Sequence, residues 1–295
     1  MPEILQLLWG TVLLRPYVFA FLAVYLVAAG AHLGWRKTLL YLPLGYGLAW
    51  LSEFSSIHWG FPYGDYYYIP RTREVELWVA GVPFMDSLSY VFLSYCSYST
   101  ALFILSPVTF AKGDFFLLET RALRRSPGVW ILGAFLFVFL DIVIDPVALQ
   151  GSRWFLGQIY GYREPGIYFG IPLSNFGGWL AVGLVLTGVL GRLEGRGWLE
   201  GKRLPLLRRV PCALLLGPVL YLSVLAFNLA VTFWIGEKLM GLVGCFLVFF
   251  PLLLVFFFTL YKRKHLTPEQ IAAHLMDFPS SRARTLLPGY QTELE

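Results

Sequence analysis

Charged residues are scarce in this chain. Only 14% of its 295 residues are Asp, Glu, Lys or Arg, whereas a soluble domain carries about 25%. The chain instead contains long apolar runs of the kind that bilayer spans require, and its mean hydropathy is +0.65. These features exclude an ordinary soluble domain. The net charge of +5 then indicates membrane topology and not nucleic-acid binding.

Cysteine and histidine are also scarce. Cys96, Cys212 and Cys245 all lie in apolar runs, which argues against a disulfide framework. The four histidines form no HxH or HxxxH pair, so we expect no metal site. The N-terminal segment lacks a basic start and a small-residue cleavage site. Its first apolar run is therefore expected to be a retained span and not a signal peptide.

Seven apolar runs of about 20 residues predict seven transmembrane helices, because a helix of that length crosses the hydrocarbon with its backbone satisfied. The fold class is therefore all-α, a polytopic membrane helical bundle in residues 1–264. A polar tail in residues 265–295 contains a short helix that begins near Thr267. The predicted spans are Arg15–Leu33, Thr38–Ile57, Pro83–Ser106, Val129–Leu149, Leu173–Leu193, Pro211–Ile235 and Lys238–Tyr261.

Basic residues are distributed unevenly between the connections. Most of the 23 Lys and Arg residues lie in the first, third and fifth connections and in the C-terminal segment. The positive-inside rule places these segments in the cytoplasm, with the N-terminus outside a multi-pass protein of the cell inner membrane. The residues assigned to the cytoplasmic side are Arg36, Lys37, Lys112, Arg121, Arg124, Arg125, Arg192, Arg196, Lys202, Arg203, Arg208, Arg209, Lys262, Arg263, Lys264, Arg282 and Arg284.

Two connections on the predicted outer side combine Gly and Pro with many aromatic residues. One is HWGFPYGDYYYIP at residues 58–70, and the other is GSRWFLGQIYGYREPGIYFGIPLSNFGGW at residues 151–179. Such composition is typical of structured loops. It fits an aromatic belt in the membrane interface or a cover over a cavity mouth, and both interpretations stay open.

Four acidic residues lie within or at the edge of the predicted spans, namely Glu53, Asp86, Asp141 and Asp145. A charged carboxylate at the bilayer centre costs about 2.5–3.5 kcal/mol or more, so each requires a reason. In the predicted topology all four lie in the outer half of the membrane, and Asn175 lies at the same level.

The pair Asp141 and Asp145 is the most informative of these groups. Four residues apart, the two side chains share one helix face. Two like charges in a poor dielectric cannot both ionise easily, which favours a proton donor beside a carboxylate and suits acid–base chemistry. Alternatively, both are helix-end groups wetted by the interface or paired with Arg153. Asn175 alone is more often a helix cap or an interhelical hydrogen-bond donor.

Four segments between residues 53 and 179 share a pattern with a known family. They are Glu53 with GFPYGDYYY at 60–68, GVP at 81–83, LDIVIDPVALQGSRW at 140–154, and YFGIPLSNFGGW at 168–179. Together they resemble the integral-membrane carotenoid hydratase family, which includes bisanhydrobacterioruberin hydratase and γ-carotene 1′,2′-hydratase. The chain departs from the family pattern after GVP, where FMDSLSYVF carries Asp86 and lacks a common Trp.

The resemblance implies a cofactor-independent 1,2-hydratase-type lyase of carotenoid biosynthesis. It would hydrate the terminal ψ-end double bond of an acyclic or monocyclic carotenoid, with no metal. Either Asp141 or Asp145 would be the general acid. The other aspartate of the pair, or Glu53, would hold or deprotonate the water. Asn175 would orient one of these carboxyl groups by hydrogen bonding. The expected partners are a lipid-soluble polyene, membrane lipids and other carotenoid-pathway enzymes, and no nucleic acid. The expected substrate-binding residues are Tyr66, Tyr67, Asp86, Trp154, Tyr168 and Trp179.

Three other functions are alternatives to hydration. Asp141-x-x-x-Asp145 is similar to the aspartate pairs with which intramembrane prenyltransferases hold Mg²⁺ and a diphosphate, but those enzymes resemble a nine-span pattern with two such motifs. A retinal protein needs a lysine in the middle of its last span, where this chain has only Lys238 and Lys262 at the ends. A non-enzymatic membrane carrier is a further alternative, although no inverted repeat is visible.

Overall fold

The computed structural model describes residues 2–111, 113–194 and 210–286. Most of this part of the chain is helical. The α-helices are α1 (Pro2–Leu14), α2 (Pro16–His32), α3 (Trp35–Trp59), α4 (Phe84–Leu105), α5 (Arg121–Arg124), α6 (Pro127–Leu149), α7 (Leu173–Leu193), α8 (Leu216–Trp234), α9 (Lys238–Lys264) and α10 (Pro268–Asp277). Short 3-10 helices cover Pro70–Thr72, Gly151–Arg153, Ala213–Leu215 and Arg282–Leu286.

Helices occupy all seven predicted spans, which confirms the all-α membrane bundle. Five of them are long and apolar enough to cross a membrane: α4, α6, α7, α8 with the turn before it, and α9. The bent pair α1–α2, which turns by 91° at Arg15, makes a sixth if it counts as one span. α3 has 25 residues but carries Arg36, Lys37 and Glu53, which lower its hydropathy. The count of seven spans and the orientation in the membrane stay predictions. Lys112 and the basic residues at 195–209 lie outside the described residues.

Helix α4 lies at the centre of the bundle, where it packs against α2, α3, α6, α7 and α8. Its hydroxyl groups bond across helices, as between Ser94 Oγ and Tyr41 Oη at 2.6 Å. Small residues bring the neighbouring helices α6 and α7 together. A Cβ on Gly183 would lie 3.0 Å from Phe137 Cδ1, so a larger residue there would require the phenyl ring to shift by a few tenths of an ångström.

Three two-stranded antiparallel ladders join the connections, and the sequence predicted none of them. β1 (Tyr66–Tyr68) pairs with β6 (Tyr160–Tyr162), β2 (Trp78–Val79) with β3 (Val82–Pro83), and β4 (Val108–Ala111) with β5 (Asp114–Leu117). Strands of two to four residues leave almost no periodic signal in a sequence. The β1–β6 ladder joins the two aromatic connections over one end of the bundle, hereafter the aromatic end.

A buried ion pair fixes the junction of α1 and α2 at the aromatic end. Arg15 binds Glu76 in a two-pronged contact, with Nε–Oε2 and Nη2–Oε1 distances of 3.1 Å, and neither side chain is exposed. Arg15 also donates to the backbone oxygen of Leu156. The helix junction is thereby tied to both connections that cover this end.

The opposite end of the bundle contains a second buried set of charges, the basal ion cluster, formed by His32, Lys37, Glu119, Arg124 and Glu194. Arg124 contacts Glu119 and lies 2.8 Å from Glu194 through Nη1. Lys37 Nζ lies 3.0 Å from the other oxygen of Glu194, and His32 Nε2 lies 3.0 Å from Glu119. Because these residues come from α2, α3, α5 and the ends of two connections, the cluster clamps the helix ends together.

The C-terminal helix α10 packs on this cluster. The predicted start at Thr267 is a capping box, in which Thr267 and Gln270 exchange hydrogen bonds with each other's backbone N–H. His274 Nδ1 donates to the backbone oxygen of Glu119 at 2.6 Å. The ring of Phe278 lies 4.8 Å from the guanidinium carbon of Arg124. The tail therefore covers the buried charges of the bundle.

The basal ion cluster predicts that the protein loses stability in acid. Burial alone would raise the pKa of Glu119 and Glu194, but Arg124, with His32 at Glu119 and Lys37 at Glu194, outweighs it and lowers both pKa values. A lowered carboxyl pKa stabilises the fold above the ordinary value and ceases to do so as the pH falls. We expect the melting temperature in detergent to drop as the pH falls below 4.5, the ordinary value for Glu.

A variant separates this effect from general acid damage. Glu194→Gln removes one titrating group, so its melting temperature should depend less steeply on pH below that value than the wild type does. Equal slopes for the two proteins would contradict the assignment.

Candidate active site

A cavity of about 140 Å³ lies beneath the aromatic end, between α2, α3, α4, α6, α7 and α8. All four acidic residues that the sequence singled out line it, together with Asn175. Asp141 is 1% exposed, Asn175 3% and Asp145 7%. The rest of the lining is mostly aromatic or aliphatic, so these polar groups face one another across an apolar space.

Asp141 and Asp145 lie one helical turn apart on α6, as the spacing predicted. Asn175, in the first turn of α7, bridges them through a single side-chain nitrogen. Nδ2 donates to Asp141 Oδ2 at 2.7 Å and to Asp145 Oδ2 at 3.1 Å. An amide nitrogen carries two hydrogens, so it can serve both carboxyl groups at once.

Asp145 receives two further hydrogen bonds from the aromatic end. The hydroxyl of Tyr162 donates to Oδ2 at 2.7 Å, and that of Tyr160 donates to Oδ1. Burial raises the pKa of both tyrosines well above the ordinary value, and the carboxyl group of Asp145 raises it further. Both hydroxyls therefore stay protonated and act as donors to Asp145.

The β1–β6 ladder explains why these tyrosines reach the cavity. Tyr66 pairs with Tyr162, Tyr67 with Gly161, and Tyr68 with Tyr160. Side chains alternate between the two faces of a strand, so the first and third residues of each strand point the same way. Tyr66, Tyr68, Tyr160 and Tyr162 all line the cavity.

A second acidic pair comes from α3 and α4. Glu53 is buried and accepts a hydrogen bond from the hydroxyl of Ser87. Asp86 accepts one from Tyr68 Oη at 2.6 Å. Burial raises the pKa of Tyr68, and Asp86 and Glu53 raise it further, so Tyr68 too remains a donor. The cavity thus holds two carboxyl pairs, each supplied with hydroxyl donors by the same ladder.

Aromatic rings form the wall on the α7 side. Trp179 stacks on Tyr90 with ring centres 4.7 Å apart, and Phe137 lies 4.6 Å from the same indole. The neighbouring Gly178 has no room for a side chain, because a Cβ would lie 2.7 Å from the backbone oxygen of Pro62. This close approach holds the connection after α3 against α7 and keeps Trp179 at the cavity.

The wall between α2 and α8 consists largely of aromatic rings. Tyr17 stacks on Phe227 at 5.3 Å, Phe21 lies 5.8 Å from Phe227, and all three are half-buried and line the cavity. Trp154 closes the group from the aromatic end, held by a 3.0 Å hydrogen bond from Nε1 to the backbone oxygen of Val147. An apolar ring set therefore separates the cavity from the outer surface of these helices.

Two residues predicted to bind substrate do not line the cavity. Tyr67 is 44% exposed, because it occupies the strand position that points away. Tyr168 instead donates to the backbone oxygen of Ile142 at 3.2 Å. The residue four positions after Ile142 is Pro146, which has no N–H to bond that oxygen, so Tyr168 supplies the missing donor. Substrate contact by Tyr67 and Tyr168 stays a prediction.

Other predicted residues come together in the cavity, and several that sequence reasoning missed join them. Tyr66, Asp86, Trp154 and Trp179 line it, as do the unpredicted Tyr68, Tyr160, Tyr162 and Asn228. The sequence does contain a pattern that could have identified the tyrosines. YYY and YGY both place Tyr residues two positions apart, and such residues lie on the same face of a strand. A signal for Asn228 also existed, a side-chain amide within an apolar run.

The family model described as "Carotenoid biosynthesis protein" matches residues 10–251. The match covers well over half of the 295 residues and includes every residue that lines the cavity. Searches of the curated proteins and of the solved structures find no significant match.

Proposed function

Because the chain belongs to the family of carotenoid biosynthesis proteins, we propose that it hydrates the terminal double bond of an acyclic or monocyclic carotenoid. One observation carries the proposal: two carboxyl groups, held by the amide of Asn175, lie in a cavity whose other walls are largely aromatic. Hydration of an unactivated alkene needs such an acid, together with surroundings that tolerate a carbocation.

The cavity has room for one end of such a substrate. Its volume of about 140 Å³ is close to the roughly 150 Å³ of an engineered protein cavity that holds benzene. The terminal isoprenoid unit would enter it, and the rest of the polyene would lie between α2 and α8, past Phe21 and Phe227. A hydrocarbon substrate dissolved in the membrane can reach that side directly, as expected for a multi-pass protein of the inner membrane.

Hydrogen bonds favour Asp141 as the proton donor. Asp145 accepts from Tyr160, Tyr162 and Asn175, and these donors stabilise it as a carboxylate. Asp141 accepts from Asn175 alone among the described residues, which leaves an oxygen to carry the proton. Asp141 would give this proton to the CH carbon of the terminal double bond, and the positive charge would form on the dimethyl carbon.

The cation would lie between aromatic faces and a carboxylate. Trp179 and Tyr90 both line the cavity, and aromatic rings attract positive charge by their quadrupole. Water would then form the C–O bond, and Asp145 would take the proton that the water loses. One proton leaves Asp141 and one reaches Asp145, so a transfer between these neighbours restores the starting state. No metal or redox cofactor takes part in this proposal.

The test is expression in a bacterial host that makes lycopene or γ-carotene, followed by chromatography with mass detection. We expect a more polar pigment that is heavier by one water, and addition of a chelator should not change its yield. An unchanged pigment profile from host cells whose membranes contain the protein would contradict hydration of these two carotenoids. A pigment heavier by a C5 unit would indicate a prenyltransferase instead.

A further inference from the structure

Helix α8 presents one side-chain amide to the cavity from an otherwise apolar stretch. Asn228 is 6% exposed and lines the cavity together with Val224 and Phe227. A buried amide that is not fully hydrogen-bonded weakens a membrane helix. An amide beside a site for a hydrocarbon therefore indicates a ligand that donates a hydrogen bond.

The hydrogen bonds of Asn228 leave its oxygen free. Its side-chain Nδ2 donates to the backbone oxygen of Val224 at 2.9 Å. A backbone oxygen only accepts, so the nitrogen must occupy this position and the amide cannot be turned around. Within the described part of the chain, no donor bonds the side-chain oxygen of Asn228. This oxygen is an unused acceptor in a residue that lines the cavity.

Two contacts, one to α6 and one from the 3-10 turn that follows it, align α8 with α6. Tyr221 donates to the backbone oxygen of Leu136 at 2.8 Å, and Arg153 donates to that of Ile235 beyond the end of α8. From the first contact to the second, the residue number increases along both segments, from Leu136 to Arg153 and from Tyr221 to Ile235. The two helices therefore run in the same direction. Seven residues beyond the first contact, α8 reaches Asn228 while α6 reaches a point between Asp141 and Asp145.

These positions meet the needs of a water molecule that attacks a cation. Such a water must donate its hydrogens to acceptors, which leaves a lone pair free to form the new bond. Ordered waters in proteins make two to four hydrogen bonds. The Asp145 carboxylate and the Asn228 oxygen are acceptors on different helices that line one cavity.

We propose that Asn228 holds the water that adds to the carbocation. One O–H of this water is donated to the Asn228 oxygen and the other to Asp145. As the water oxygen bonds the cationic carbon, Asp145 takes the second proton, and the first stays in the product hydroxyl. Asn228 is thus a positioning residue for water, a role that rests on the proposed hydration.

Deuterium separates the two steps. Membranes containing the protein are incubated with lycopene in D₂O, and both the hydrated pigment and the deuterium in recovered lycopene are measured. A cation that is not captured by water loses a proton and returns as deuterated alkene. In Asn228→Leu we expect the hydrated product to fall by about tenfold, as for the loss of one buried hydrogen bond, while deuterium in the recovered lycopene persists or increases.

Three further variants make the outcome decisive. Asp141→Asn should lose both hydration and deuterium uptake. Ser223→Ala should change neither, because Ser223 is exposed on the same helix, does not line the cavity and donates to the backbone oxygen of Val219. Asn228→Asp keeps an acceptor oxygen and should retain more hydration than Asn228→Leu. Gel filtration in detergent checks that each variant is folded.

The results that would overturn the inference differ from those that would overturn the function. Wild-type hydration in Asn228→Leu, or an equal loss of hydration and deuterium uptake in folded Asn228→Leu, would remove Asn228 from the water step. An absence of both hydration and deuterium uptake in the wild type would overturn the proposed hydratase activity on lycopene, and this inference with it.

Discussion

Replacing Asp141 with Asn is expected to lower the yield of hydrated carotenoid by at least about a hundredfold, since a positioned acid contributes 10²–10⁴-fold. The amide has nearly the same shape as the carboxyl group and keeps an oxygen that can accept from Asn175. It has no proton acidic enough to transfer to an alkene. Chromatography with mass detection measures the product, and detection of the protein in isolated membranes measures its insertion.

A matched acid serves as the control for this variant. Asp65 lies in the same aromatic end but is exposed and does not line the cavity. Asp65→Asn should therefore leave the yield near that of the wild type. Asp145→Asn should also abolish the product, because it removes the proton acceptor. Full activity in both Asp141→Asn and Asp145→Asn would remove the pair from the mechanism.

Replacing Arg124 with Leu is expected to destabilise the protein by about 3–5 kcal/mol, the cost of breaking a buried ion pair by removing one partner. Arg124 is 1% exposed and contacts both Glu119 and Glu194. Without the guanidinium, two carboxylates remain buried, and among the described residues His32 and Lys37 are the cations that contact them. Thermal unfolding in detergent measures the loss.

An exposed pair provides the comparison for Arg124. Arg153 contacts Glu237, but its side chain is 41% exposed. Arg153 also donates to the backbone oxygen of Ile235, but because its ion pair is exposed, Arg153→Leu should cost less than Arg124→Leu, about 0–1 kcal/mol for the ion pair itself. Adding Glu194→Gln to Arg124→Leu should recover part of the lost stability, since one unpaired charge is removed. Equal melting temperatures for Arg124→Leu and Arg153→Leu would show that the basal ion cluster does not stabilise the fold.

The sequence predicted the helices and the acidic half of the site for simple physical reasons. Spans need about 20 apolar residues, so carboxylates within them stand out, and a spacing of four puts Asp141 and Asp145 on one face. That Asp86 and Glu53 would lie in the same cavity followed only from their shared level in the membrane. Helix α3, which is not among the helices apolar enough to count as spans, is the one that carries Glu53 to the site.

The donors to these acids were harder to predict, because they depend on contacts between distant segments. Nothing local in YGY specifies that Tyr160 and Tyr162 pair with residues 66–68, and register decides which face each tyrosine takes. The sequence predicts substrate contact by Tyr67, whereas in the structure it is the neighbouring Tyr68 that lines the cavity. The sequence identifies Arg124 only as one of the basic residues that set the topology, because its burial depends on contacts with distant residues after α7 and α10.

The β1–β6 ladder also has a consequence for the order of assembly during synthesis. Its strands lie on either side of α4 and α6 in the chain, and Asn175 follows later still. Domains form from the N-terminus as the chain emerges, so Glu53, Asp86 and both aspartates of α6 enter the membrane before Tyr160, Tyr162 and Asn175 exist to receive them. The polar interior is therefore completed only when α7 inserts. A nascent chain that stops after α6 contains every carboxylate of the site but not the donors from β6 and α7.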